Sequence, residues 1–392
     1  MAVTRDTAFP FAERTRGDVG EGIASVLALL GRTDLISFAG GFPDPQTFPR
    51  ERAAALLAEF AADGESTAFQ YGPTRGLAGT LDAMAGRIES LQGRRPADDE
   101  LLITSGAIEA LELVGKSFLD RGDTVVIEAP TYLGAIQAFR SFEAELVAVP
   151  MDDDGLEVDE LERLLAGGLR PTLLYTIPDH QNPAGVSMTI DRRIALVELA
   201  RRYGFVIVED VAYRELRFDG DALPSLWSLA PDAVLQAGTT SKTFFPGVRL
   251  GWAVGPAEVS AQLVNAKQTT DQCAGGLGQR MFEEYVRRGW IEEQLARSRE
   301  LYARKCDLTL AALSRHMPDA RRTTPNGGFF TWLTLPADTT ELARRAADAG
   351  VGIVPGELFY ADGRGRDNVR LSFSMVDESL IDTGIERLAT LL

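Results

Sequence analysis

Seven short apolar runs recur between Leu101 and Gly255: LLITSG, TVVIEAP, AELVAVP, TLLYTIP, FVIVEDV, AVLQAGTT and RLGWAVG. Helical patterns separate most of them, over 107–118, 132–141, 158–165 and 191–203, with a broken segment near 223–229. Strands that are apolar without alternation are buried on both faces. The pattern therefore predicts an α/β unit, a mostly parallel seven-stranded sheet between layers of helices.

The remaining chain frames this unit. Upstream, a short helix is expected over 23–30, then ISFAGGFPDPQTFP, where Gly40, Gly41 and three prolines predict an ordered or ligand-facing loop over 42–49. A helix over 50–62, the turn-rich FQYGPTRG and a helix over 77–91 lead into the sheet. Downstream, a long helical connection over 258–315, interrupted near 273–278, precedes NGGFFTWLTLP, a helix over 340–349, VGIVPG, NVRLSFS and a last helix over 378–391. This mixture predicts a smaller α+β domain. The expected organisation is an N-terminal arm (1–47) joining the small domain, a large domain (48–280) and a small C-terminal domain (281–392).

Composition removes several function classes. A chain of 392 residues, 45% hydrophobic, has enough apolar surface for two domains. Its net charge of −17 opposes binding to nucleic acid or to an anionic membrane. No segment reads as a signal peptide or a membrane helix. Cys273 and Cys306 cannot form a disulfide framework, and with His180 and His316 as the only histidines no metal site is expected; a reducing cytoplasm is the default.

In sheets of this kind ligands gather at the carboxyl ends of the strands. Lys242 sits there, in TTSKTFFPGVRLG, between the last two apolar runs. The chain has only four lysines, and Lys116, Lys267 and Lys305 read as helix-surface positions. Around Lys242 stand Thr239, Ser241, a Pro246-Gly247 turn and Arg249. An amine that attacks an aldehyde needs a desolvated, cation-flanked site, while a neighbouring phosphate needs hydroxyls and an arginine. One ligand carries both groups, pyridoxal 5'-phosphate.

Other strand ends supply matching chemistry. Gly106, in SGAIEAL, opens a helix whose free amides can hold a phosphate. Tyr132, in APTYLG, can stack on a flat ring, and Asn182, in PDHQNPAG, offers an amide. Asp210 ends a wholly apolar strand and needs a cation such as a pyridinium to justify its burial. Tyr213 lies three residues on.

The ordered series SGAIEAL, APTYLG, PDHQNPAG, VIVEDVAY, TTSKTFFPGVRLG, NGGFFTWL and VRLSFS resembles the class I and II aminotransferases of pyridoxal-phosphate fold type I, nearest the branch with 2-aminoadipate and kynurenine aminotransferases. The resemblance runs from about Ile36 to the C-terminus. It implies transfer of an amino group between an L-amino acid and a 2-oxo acid through pyridoxamine phosphate, in a homodimer with shared active sites. It implies Lys242 as the Schiff-base lysine and proton shuttle, Asp210 on the pyridine nitrogen, Tyr213 and Asn182 on the ring hydroxyl, and Tyr132 stacked on the ring. The phosphate would meet the amides of Gly106 and Ala107, Thr239, Ser241, Arg249 and Tyr71 from the partner subunit. Arg370 would pair with the substrate α-carboxylate, in a pocket completed by Gly40, Gly41 and Asn182.

Several positions depart from the family's pattern. Relatives often carry Ser-Gln where this chain has Ala107-Ile108, which leaves more of the phosphate to backbone amides. Ala24 stands where aminoadipate-type relatives often have an arginine, and the entrance stretch reads Asp271-Gln272-Cys273-Ala274. His180 reads as a packed loop histidine, with a second acid/base role as the alternative. These departures keep open a lyase, decarboxylase, oxidase or cyclising synthase on the same cofactor. A non-catalytic sensor is the remote reading, since no basic DNA-binding module is evident.

Overall fold

The computed structural model describes residues 9, 11–15, 32, 34–62, 64 and 66–392; Ala24 and the helix expected over 23–30 lie outside them. After a two-residue strand β1 (Ile36–Ser37), all seven apolar runs form strands. They are β2 (Leu101–Thr104), β3 (Thr124–Ala129), β4 (Glu145–Asp152) with a hairpin return β5 (Gly155–Leu156), β6 (Leu173–Thr176), β7 (Val206–Asp210), β8 (Val234–Thr239) and β9 (Gly251–Val254).

The sheet order is β2-β9-β8-β7-β6-β3-β4-β5. β8, β7, β6, β3 and β4 pair in parallel, whereas β9 runs antiparallel to both β2 and β8. The sheet thus has eight strands rather than the expected seven. The addition, β5, is two residues long and too short to show a pattern of its own. Its Gly155 has φ 99°, and a Cβ there would come within 2.9 Å of the Met188 backbone.

Helices cover the sheet at Ala107–Phe118, Leu133–Arg140, Val158–Ala166 and Ile190–Tyr203. The long helical connection is broken twice, into Ala257–Gln268, Gly276–Arg287 and Trp290–His316. The first break comes earlier than expected, because the Lys267 carbonyl accepts from the amides of Thr270, Asp271 and Gln272 and so closes the helix. At the second, Gly289 takes the left-handed conformation, φ 69°.

A second, antiparallel sheet is ordered β10 (Arg321–Arg322), β11 (Phe330–Thr334), β14 (Asn368–Ser372), β13 (Val354–Pro355), while β1 pairs in parallel with β12 (Val351–Gly352). A small apolar cluster of Ala39, Leu133, Trp332, Val354 and Phe359 stands beside two main apolar cores. The helix Trp290–His316 belongs to both, with Leu295 and Tyr302 in the larger core and Ala312 and Leu313 in the smaller.

Two lysines expected on helix surfaces are instead buried. Lys267 Nζ bonds Glu109 and Asp271, and Lys305 Nζ bonds Asp44 Oδ2 and the Ser374 carbonyl. Helical periodicity could not show this, because Glu109 and Asp44, which bury these charges, lie far away in sequence, while Asp271, four residues after Lys267, reads equally well as a surface pair. Lys305 ties down the loop over 42–49, where the Asp44 amide also donates 2.9 Å to the Tyr302 hydroxyl. Removing one partner of such a pair strands the other charge in the interior. Lys305→Met is expected to cost about 3–5 kcal/mol of stability, read by denaturant unfolding. A loss below about 0.5 kcal/mol, as for an exposed ion pair, would contradict the buried role.

Candidate active site

The carboxyl ends of β2, β3, β6, β7 and β8 face one cavity of about 260 Å³. It is lined by Gly41, Ala107, Tyr132, Asn182, Asp210, Tyr213, Thr239, Ser241, Lys242, Arg249 and Arg370, eleven of the residues singled out from sequence. Residues as far apart as Gly41 and Arg370 meet because the loop after β1 packs on β14.

Lys242 ends a short turn that β8 feeds directly. Its Nζ donates 2.7 Å to the Gly41 carbonyl and stands 5.7–5.9 Å from the ring centres of Phe42, Tyr213 and Phe329. Burial lowers its pKa to about 8, helped by Arg370 and Arg249 and opposed by Asp210. This amine is far easier to deprotonate than an ordinary lysine.

Asp210 ends β7 and is buried. Its carboxylate accepts from the Tyr175 hydroxyl at 2.9 Å and the Ala212 amide at 3.0 Å, with no cation in salt-bridge range among the described residues. Burial raises its pKa against those two bonds. Burial likewise raises Tyr175 well above the usual phenol range and Tyr132 to about 12. Tyr213 rises for the same reason, and its ring edge contacts Phe329 and Phe330 at 5.6 and 5.5 Å.

Arg370 lies mid-strand in β14, opposite Trp332 and Val354. Its Nη1 donates 2.9 Å to Asn182 Oδ1 and its Nη2 donates 2.6 Å to the Ala39 carbonyl, while the buried Nε has no partner among the described residues. Phe330 and Phe359 sandwich the guanidinium at 4.5 and 4.7 Å. Burial lowers its pKa to about 10, so it stays cationic at neutral pH. A Cβ at Gly41 would lie 2.7 Å from the Phe330 ring, so the approach of this loop requires glycine.

The opposite end of the cavity is a polar cradle. Thr239 Oγ1 and Ser241 Oγ are 2.9 Å apart, and Arg249 Nη1 reaches Ser241 Oγ at 3.3 Å and Nη2 the Ser105 carbonyl at 3.1 Å. Gly106 caps the helix Ala107–Phe118 with φ 96°, and any Cβ there would collide with the Arg249 guanidinium. Helix-start amides, two hydroxyls and an arginine around one point are a donor set for a dianion. Lysine, buried carboxylate, flanking aromatics and this cradle together fit pyridoxal phosphate.

Some expected residues stand elsewhere. Gly40 is buried behind the cavity, its carbonyl accepting from Ser374 Oγ at 3.4 Å. Tyr71 is 79% exposed and outside the cavity lining. His180 is packed against Gly327 and Gly328, its pKa lowered to about 4 by burial, and does not line the cavity. The packed reading holds for it. Tyr175 was missed: its strand partner is Val208, two residues before Asp210, so the two side chains share a sheet face. Strand parity could have found it only once the β6–β7 pairing was known.

Because only the neutral amine attacks an aldehyde, the rate at which pyridoxal attaches to the cofactor-free chain is expected to rise about tenfold per pH unit below 8 and level off above it. A rate still climbing near pH 10, as for an ordinary lysine, would contradict the lowered pKa.

Comparison with known proteins gives consistent matches over almost the whole chain. Residues 33–388 match the family model for aminotransferase class I and II. A 2-aminoadipate transaminase of Thermus thermophilus is 41% identical over 94% of this chain and 93% of its own length. An aromatic-amino-acid aminotransferase of Thermococcus litoralis is 38% identical over 99% and 95%. The structure of Pyrococcus horikoshii kynurenine aminotransferase superposes with a TM-score of 0.92 at 39% identity, covering 97% of this chain and 96% of that one.

Proposed function

The chain belongs to the class I and II aminotransferases, and from that premise we propose how its residues divide the work of a pyridoxal-phosphate-dependent transamination. The cofactor supplies a carbonyl that accepts the amino group and a ring that draws electrons from the substrate α-carbon. Lys242 would hold the cofactor carbonyl carbon until the substrate amine displaces it, and its freed amine would then move a proton to and from the α-carbon. A pKa of about 8 lets it hold or release that proton near neutral pH. Asp210 keeps a proton on the pyridine nitrogen, its position fixed by Tyr175 and the Ala212 amide. Tyr132 stacks on the ring, and Tyr213 and Asn182 hydrogen-bond its hydroxyl.

The amides of Gly106 and Ala107, with Thr239, Ser241 and Arg249, take the phosphate. Arg370, steadied by Asn182 and the Ala39 carbonyl, takes the substrate α-carboxylate. The observation that carries this reading is the convergence on one cavity of Asp210 from the end of β7, Lys242 and Arg249 from the connection between β8 and β9, and Arg370 from β14.

The same cavity supports an apolar or aromatic amino donor. Lys242, Arg249 and Arg370 are its cationic lining residues among those described, and all three are taken by cofactor and α-carboxylate. The rest of the lining includes Phe42, Ile108, Leu133 and Ile177. We further propose a homodimer, in which exposed Tyr71 reaches the partner's phosphate, a cytoplasmic location, supported by two unpaired cysteines, and domains divided as expected from the sequence.

The test is a single half-reaction. Holoenzyme mixed with one amino acid and no acceptor is expected to yield one equivalent of 2-oxo acid, faster for apolar and aromatic donors than for aspartate or glutamate. Repeated turnover releasing ammonia, peroxide or carbon dioxide would overturn it. Arg370→Gln is expected to raise KM for every amino acid about a hundredfold, or ~2.7 kcal/mol; an unchanged KM would remove its carboxylate role.

A further inference from the structure

The phosphate turn has an unusual support. Ala107 and Ile108 offer it no polar side chain, and the Ser105 hydroxyl is engaged, donating 2.9 Å to Asp271 Oδ2. The Ser105 amide donates to Glu109 Oε2, while the Ser105 carbonyl accepts from Arg249. All three polar groups of this residue are therefore fixed. Behind them the fully buried Lys267 Nζ bonds both Glu109 oxygens, at 2.7 and 2.8 Å, and both Asp271 oxygens, at 2.7 Å each.

We propose that Lys267, Glu109 and Asp271 form a charge bracket that positions the turn over 105–107 and sets affinity for the cofactor's phosphate. Two carboxylates beside a dianion repel it, and their low-dielectric surroundings preserve the repulsion. Lys267 offsets one of them, leaving the bracket with a single negative charge. These are positioning residues, since they act through Ser105, Gly106 and Arg249. The proposal rests on the reading of Gly106, Ala107 and Arg249 as the phosphate site.

Charge and structure separate in a four-variant titration. The full-length chain, stripped of cofactor, is titrated with pyridoxal phosphate and with pyridoxal, which lacks the phosphate, and the ratio of the two Kd values is compared. Lys267→Met gives the bracket two negative charges and is expected to reduce the preference for the phosphorylated ligand about tenfold. Glu109→Gln brings it to zero, keeps an acceptor for the Ser105 amide and is expected to increase that preference. The double variant restores one negative charge and is expected to return near wild type. Pyridoxal affinity is expected to stay constant throughout.

Equal shifts for both ligands, or a double variant as weak as Lys267→Met, would overturn the proposal. Should Lys267→Met not fold, Glu109→Gln decides alone, and an unchanged ratio overturns it. Arg249→Gln is the control for the underlying reading. If it leaves the ratio intact, the phosphate lies elsewhere and both fall.

Discussion

The structure depends on keeping a few charges out of water at the ends of a parallel sheet. Asp210, Lys242 and Arg370 meet in a cavity walled by Phe42, Tyr132 and Tyr213, with Phe329 beside Lys242 and Phe330 against Arg370, where each ionised group loses hydration it cannot fully recover from protein partners. Hydrogen bonds from Tyr175 and Ala212 to Asp210, and from Arg370 to Asn182 and Ala39, hold the groups in place without neutralising them. Among the described residues, what remains is a carboxylate without a cation, an amine that readily deprotonates, and an arginine with a free Nε. A ligand bearing a basic ring nitrogen, an aldehyde and a carboxylate-bearing substrate complements all three.

Rigid support makes this arrangement possible. The strands deliver Asp210 and Thr239 from neighbouring positions, and β14 fixes Arg370 in mid-sheet, where neither end can fray. The loop over 42–49, which contributes Phe42 to the cavity, is tied to the long helix through Asp44, Lys305 and Tyr302. That helix also joins the two main cores, and Arg370 lies on β14 between Val369 and Leu371 of the smaller one. Glycine is required where backbone must come closest, at Gly41 against Phe330 and at Gly106 against Arg249.

Much of this was legible in the sequence because its signals are local. Unbroken apolar runs betray strands buried on both faces, and a polar residue closing such a run marks the ligand edge; Lys242, Asp210 and Asn182 were found that way. Signals that depend on pairing between distant segments were not. Lys267 and Lys305 occupy helical positions that read as solvent-facing, yet each is buried against a carboxylate from a distant segment, Glu109 and Asp44. Tyr175 looks like one more apolar strand residue until β6 is set beside β7. Neither β5 nor the glycine break at Gly289 is long enough to carry periodicity.

The central claim is that, of four lysines, Lys242 alone is the covalent anchor. Reducing the holoenzyme with borohydride and mapping the cofactor mass by peptide mass spectrometry tests it directly. One phosphopyridoxyl group per chain on the peptide containing Lys242 is the expected result, with Lys116, Lys267 and Lys305 unmodified. Stoichiometric label on any of those three, or none on Lys242, would contradict it.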